Sequence, residues 1–243
     1  MIRAMRRLIV LSLVGTLLGF GQVAKAGPFE DGEAAFKRND YATALKLFRP
    51  LAMDGNAGAQ AWLGLMYTTG TGIAQDYKEA VKWYRLAADQ GEESALQNLA
   101  GMYLRGEGVP PDSKEAVKLY RRAAELGYST AQNDLGWMYA AGENVVQDFK
   151  EAVSWYRRAA EQGNVYALGN LGLMFQTGRG VPQDNVRAHM WFNLLAAARN
   201  DDEGKKAGKI RNDLAAKMSR VQIAQAQMMA KKCEQSKFKD CGW

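Results

Sequence analysis

The stretch KEAVKWYRLAADQG at residues 78–91 is written again as KEAVKLYRRAAELG at 114–127 and as KEAVSWYRRAAEQG at 150–163, a step of 36 residues each time. The register reaches well beyond these near-copies. Phe48, Tyr84, Tyr120, Tyr156 and Phe192 share it, as do Asp40, Asp76, Asp112, Asp148 and Asp184, and Gly55, Gly91, Gly127 and Gly163. A second series reads Leu63-Gly64-x-Met66-Tyr67, Leu99-Ala100-x-Met102-Tyr103, Leu135-Gly136-x-Met138-Tyr139 and Leu171-Gly172-x-Met174-Phe175, followed by Gly70, Gly106, Gly142 and Gly178. A fixed period over most of a chain is the mark of a repeat array.

Each unit reads as two helices. In the first full unit, helix A is expected from about 57 to 68. Ala59, Leu63, Met66, Tyr67 and Gly70 fall on one stripe of a 3.6-residue helix. Gly70 and Gly72 break it. Asp76 then stands where a carboxylate caps the next helix by accepting from its free amides. Helix B is expected from about 77 to 89, with Ala80, Val81, Tyr84, Ala87 and Ala88 inward and Gly91 as a left-handed stop. Small residues let neighbouring helices approach, and rings fill the space that remains. One unit buries about half a dozen large apolar groups at roughly 1.5–3 kcal/mol each. Ordering its backbone costs about 1–2 kcal/mol per residue, which is more. A single unit is therefore not expected to fold alone, whereas stacked units share faces and do.

The pattern L-G-x-M-Y-x-x-G-x-G-V followed by D-x-x-x-A-x-x-W-Y-x-x-A-A-x-x-G resembles the Sel-1-like repeat, a relative of the tetratricopeptide repeat. LRGEGV at 104–109 and QTGRGV at 176–181 carry its loop, while the third unit departs with Asn144 at the second loop glycine. Asparagine tolerates the left-handed conformation better than most residues, so mild strain is expected there. The resemblance covers about residues 28–200. It implies an all-α fold, an α-solenoid in which hairpins coil as a right-handed superhelix with helices A on the concave side, and a scaffold for macromolecular assembly. Exported bacterial members act in the cell envelope or on a host partner.

The expected organisation is a leader at 1–26, a divergent capping helix pair at 27–56, tandem repeats at 57–200 (about 57–91, 92–127, 128–163 and 164–200) and a helical cap with a basic tail at 201–243. In the leader, Arg3, Arg6 and Arg7 precede the apolar run 8–20, and Ala24-Lys25-Ala26 forms an A-x-A cleavage site before Gly27. A run of 13 residues is shorter than the roughly 20 needed to span a bilayer. Cleavage between Ala26 and Gly27 and a periplasmic or secreted location are expected. At the other end, Ser219 and Gln222 make a capping box opening the final helix. In an oxidising compartment Cys233 and Cys241 pair as a disulfide rather than as a metal site, because two thiols without a nearby histidine are too few ligands for zinc.

Little here points to catalysis. His189 is the only histidine and stands where other units have valine. The glycines of TTGTGIAQD join two helices rather than a strand and a helix, which excludes a dinucleotide loop. No cofactor is expected. Charge is uneven: residues 27–203 hold 18 Lys and Arg against 23 Asp and Glu, and residues 204–243 hold 10 against 3. Lys205, Lys206, Lys209 and Arg211 could meet an anionic envelope surface or form a solvated helix face, and nucleic acid is not expected as a partner of an exported chain.

The candidate site is a line on each helix A that does not repeat, beside the stripe that does. It contains Trp62 and Leu65, Asn98 and Arg105, Asp134 and Trp137, Tyr166 and Asn170. Packing constrains the repeating stripe and leaves this one to vary. Aromatic and arginine side chains are the usual anchors of an interface, although Trp62 and Trp137 could equally pack against the neighbouring unit. The function expected is an exported, non-enzymatic scaffold with a protein or peptide partner on this face. The alternatives are a cell-envelope enzyme or a binder of cell-wall fragments, and a secreted factor acting on a host partner. Some cysteine-rich relatives with a cysteine pair per repeat are described as β-lactamases, but no cysteine lies within the repeats here.

Overall fold

The structure, a computed structural model, describes residues 27–242; the expected leader and its cleavage site lie outside them. The described residues form twelve helices and no strand. Five hairpins follow one another: α1 (Pro28–Lys37) with α2 (Tyr41–Met53), α3 (Ala57–Thr69) with α4 (Tyr77–Asp89), α5 (Glu93–Arg105) with α6 (Ser113–Glu125), α7 (Ser129–Ala141) with α8 (Phe149–Ala160), and α9 (Val165–Thr177) with α10 (Asn185–Ala198). Two more helices, α11 (Asp202–Ala215) and α12 (Arg220–Gln235), close the C-terminal end. Each helix B packs on its own helix A and on the helix A of the next hairpin, which makes the chain an α-solenoid.

The local signals act as the period requires. Asp76, Asp112 and Asp148 each accept from the amides two and three residues on, at 2.8–3.1 Å, and so cap α4, α6 and α8. The same aspartates tie the interhelical loop shut. The backbone N–H of Asp76 donates to Tyr67 O, that of Asp112 to Tyr103 O, and those of Asp148 and Asp184 to Tyr139 O and Phe175 O, all within 3.0 Å. Asn144 adopts φ +60°, the left-handed backbone expected of it.

Inside each hairpin a ring lies on the backbone of helix A. A Cβ added at Gly136 would stand 2.8 Å from the ring of Tyr156, which is fully buried. Where Ala100 replaces the glycine, its methyl holds the matching ring away, and Tyr120 is only half-buried. Close approach of backbone to ring thus sets how deeply each aromatic sinks.

The seams between hairpins contain a polar device that sequence reading missed. Gln60 and Gln132 are buried, and their Nε2 atoms donate to the C-terminal carbonyls Ala52 O at 3.1 Å and Ala124 O at 3.0 Å. Gln90 and Gln162 then donate to their Oε1 atoms at 2.8 Å. Helix ends leave such carbonyls unpaired, and the amides satisfy them. In the unit between, Leu96 and Leu126 occupy both positions. The pair is polar together or apolar together, so no half-satisfied amide is buried.

The C-terminal cap explains the histidine. Both α11 and α12 pack on α10, which buries Met190, Trp191, Phe192 and Leu194 together with His189. Ser219 and Gln222 form the reciprocal capping box that starts α12, and the sulfurs of Cys233 and Cys241 are bonded, tying the chain end to the last turns of α12. His189 Nδ1 is buried without a hydrogen-bond partner. Burial and, to a smaller degree, the nearby Arg211 guanidinium hold the imidazole pKa below its ordinary value. The folded state therefore favours the neutral ring. Above about pH 7 both folded and unfolded rings are neutral and nothing is lost. As pH falls below the unfolded value of about 6.5, the unfolded ring takes up a proton that the folded one resists, and stability declines by at most about 1.4 kcal/mol per pH unit. Denaturant midpoints measured from pH 7.5 to 5.5 should fall for the wild type and flatten for His189→Leu. An equal slope in both would place the titration elsewhere.

Candidate partner-binding groove

Two grooves run along the surface made by successive helices A. The larger, of about 690 Å³, lies at the C-terminal half between α7, α9 and α11, with the end of α10 as part of its floor. The smaller, of about 330 Å³, lies between α1, α3 and α5. Both are lined from the stripe that varies between units, which follows from hairpin stacking. Successive helices A lie near enough for each groove to be lined from more than one of them.

The structure distributes the sequence-derived candidates unevenly. Asp134, Trp137, Tyr166 and Asn170 come together in the larger groove. Trp137 remains 49% exposed and Tyr166 61%, with Leu173 beside them at 43%. Asn170 Nδ2 donates to Asn133 Oδ1 at 3.0 Å, which couples α9 to α7 across the floor. Asn133 Nδ2 lies 3.3 Å from Asp134 Oδ1. Asp134 is half-buried, and loss of water raises its carboxyl pKa above the ordinary value, with the Asn133 hydrogen bond opposing.

Trp62, Leu65 and Asn98 line the smaller groove. Trp62 is drawn into packing there. Its ring stacks on Phe48 at 5.4 Å and 5° and meets Phe36 at 4.6 Å, and its indole N–H donates to Glu33 at 3.3 Å. The cause is the first interhelical turn. Residues 38–40 join α1 to α2, where the other hairpins use a longer glycine loop, and the short connection leaves Phe36 over α3. Arg105 is exposed between the two grooves; it folds back over Gly101 and pairs with Glu107 at 2.8 Å.

Several groove residues escaped sequence reading. Arg199 stacks over the Tyr166 ring at 5.3 Å and is held by Asp201, to which its Nε donates at 3.0 Å. The ion pair lowers the Asp201 carboxyl to about 2, with help from the Gly204 amide. Lys206, Ala207 and Ile210 of α11 form the far wall. The signal for them was present in the period: Asn170 advanced by 36 gives Lys206, and Met174 gives Ile210. The helix α11 takes the place of a further helix A. Its lysines are partly engaged on the helix itself, Lys205 with Asp202 and Lys206 with Glu203. No group of histidine, cysteine and carboxylates suited to a metal ion occurs among the described residues.

A stack of helical hairpins whose inner face carries an open apolar groove defines a helical-repeat scaffold. Comparison with family models matches the Sel1 repeat at residues 25–56, 57–92, 94–128, 129–164 and 165–200. The chain belongs to the Sel1 repeat family, whose members generally mediate protein–protein interaction. Among solved structures it is similar to a protective antigen of uropathogenic Escherichia coli strains displaying an SLR fold. The two are 39% identical with a TM-score of 0.64 over 70% of this chain and 38% of that one, so the chain spans well under half of that relative. It is also similar to a Sel1 repeat protein from Oxalobacter formigenes, 34% identical with a TM-score of 0.66 over 72% of both chains. No curated protein matches.

Proposed function

We propose that the chain is an exported, non-enzymatic scaffold of the cell envelope that holds a protein or peptide partner in the groove between α7, α9 and α11. The observation that carries this reading is the convergence of Trp137, Tyr166 and Leu173 on one open surface while retaining 49%, 61% and 43% of their exposure. Large apolar side chains gathered at a concave site are the ready-made centre of an interface. Burying the exposed half of each against a partner contributes about half of the roughly 1.5–3 kcal/mol that full burial of such a side chain is worth. The amide pair Asn133–Asn170 offers polar groups that fix the orientation of an extended segment. Export rests on the basic and apolar leader with its A-x-A site before Gly27.

The test uses the full chain expressed with its leader in a Gram-negative host. The envelope fraction should yield protein beginning at Gly27, and a chain retained in the cytosol from Met1 would remove the export reading. A photo-crosslinking residue at Leu173 should capture a partner that the same residue at Lys150, at the start of α8, does not. The adduct should vanish in Trp137→Ala/Tyr166→Ala protein that melts like the wild type. The same adducts from both positions, or adducts untouched by the double substitution, would sink the groove.

A further inference from the structure

We propose that the Asp134–Trp137 corner of the groove receives an arginine side chain of the bound partner segment, its guanidinium lying on the indole face and its nitrogens on the carboxylate. The proposal rests on the groove reading above and deepens it by naming the chemistry of the occupant. Asp134 and Trp137 are three residues apart on α7, so their side chains share one side of the helix, and both line the groove.

The charges of the groove leave one of them uncompensated. Glu203 is paired with Lys206 at 2.8 Å, and Arg199 is paired with Asp201. Asp134 is half-buried, and its contact is the Asn133 amide at 3.3 Å; none of the ion pairs among the described residues includes it. A carboxylate removed from water without a cation is costly to the fold, and a cation brought by a partner relieves that cost. The neighbouring indole selects which cation. A guanidinium is planar, more weakly hydrated than an ammonium, and able to stack on a ring while its edge meets a carboxylate in two hydrogen bonds.

The chain already places a guanidinium on an indole elsewhere, whereas Arg121 and Arg85 meet Tyr139 and Tyr103 at the hydroxyl, at 2.6 Å and 2.7 Å. Arg158 covers the Trp155 ring at 4.6 Å. Trp137 is an exposed ring over which no described residue places a cation, and it stands beside the unpaired acid. The corner thus has the acceptor and the platform, and lacks the donor.

The probe is a pool of octapeptides with a fixed central arginine and randomised flanks. It is compared with pools centred on citrulline, which has the shape without the charge, and on glutamate. Each is passed over the immobilised, correctly folded chain. The arginine pool should be retained on the order of tenfold more than the citrulline pool, as expected for gain of a charge-assisted contact, and glutamate should be retained least. Asp134→Asn should bring the arginine-to-citrulline ratio to about one, Trp137→Ala should reduce retention of both, and Trp137→Phe should keep the preference. Equal retention of arginine and citrulline by the wild type, preference for glutamate, or a preference undiminished in Asp134→Asn would each overturn the assignment. Crosslinking from Leu173 that persists alongside equal pools would leave the groove standing and remove the arginine.

Discussion

Replacing Gly108 by alanine should lower stability by about 3–5 kcal/mol, whereas the same change at Gly127 should cost only about 1–2 kcal/mol. Both residues have positive φ, +71° and +98°, so both substitutions carry left-handed strain. The surroundings separate them. A Cβ at Gly108 would stand 2.3 Å from Tyr77 O and 2.5 Å from Tyr77 C, at the first residue of α4 in the preceding hairpin. A Cβ at Gly127 meets nothing within 4 Å. In the first case the loop must move off the neighbouring helix start, and the hairpins separate along with it. Urea unfolding of the two variants against the wild type measures the difference, and equal losses would show that the loop contact contributes nothing to stacking. The natural exception is instructive. Asn144 occupies the matching position of the next unit and carries its side chain at φ +60°.

Trp62→Ala should destabilise the chain by about 2–4 kcal/mol while Trp137→Ala changes stability by less than about 1 kcal/mol. Truncating Trp62 removes a ring stacked on Phe48 and in contact with Phe36, and it strips Glu33 of a donor. Among the described residues the first hairpin, α1–α2, packs on a hairpin on one side only, so it should loosen first. Hydrogen exchange should show protection lost in α1 and α2 and kept in α7 to α10. Truncating Trp137 removes a ring that is half in water, and its effect should appear in partner capture. A Trp137→Ala loss as large as that of Trp62→Ala would mean that the ring packs rather than waits for a partner.

The two tryptophans also show how far the residues could be read. Both lie on the non-repeating stripe of a helix A, Trp62 in register with Asn98 and Asp134, and Trp137 in register with Leu65 and Leu173. What decides is packing. A three-residue turn at 38–40 accompanies the contact of Phe36 with Trp62, whereas Trp137 lines the groove between α7, α9 and α11 and stays half-exposed. The glutamine pairs are a further case. Gln60 and Gln90 are 30 residues apart, and only stacking puts an amide over the end of α2. The contribution of α11 to the groove was written in the period but concealed by composition, because a lysine-rich segment reads as a tail before it reads as another helix A.

What the sequence determined by itself is the hairpin and its period. Helix faces, aspartate caps, glycine turns and the capping box at Ser219 are short-range interactions, complete within a few residues and repeated in register, so each is legible where it stands. What only the tertiary structure decided is the character of the inner face: which rings are buried, which charge is left without a partner, and where the curve opens into a groove. Those outcomes depend on contacts between residues about 30 apart and on the length of a neighbouring turn, and such contacts exist only once the hairpins have stacked.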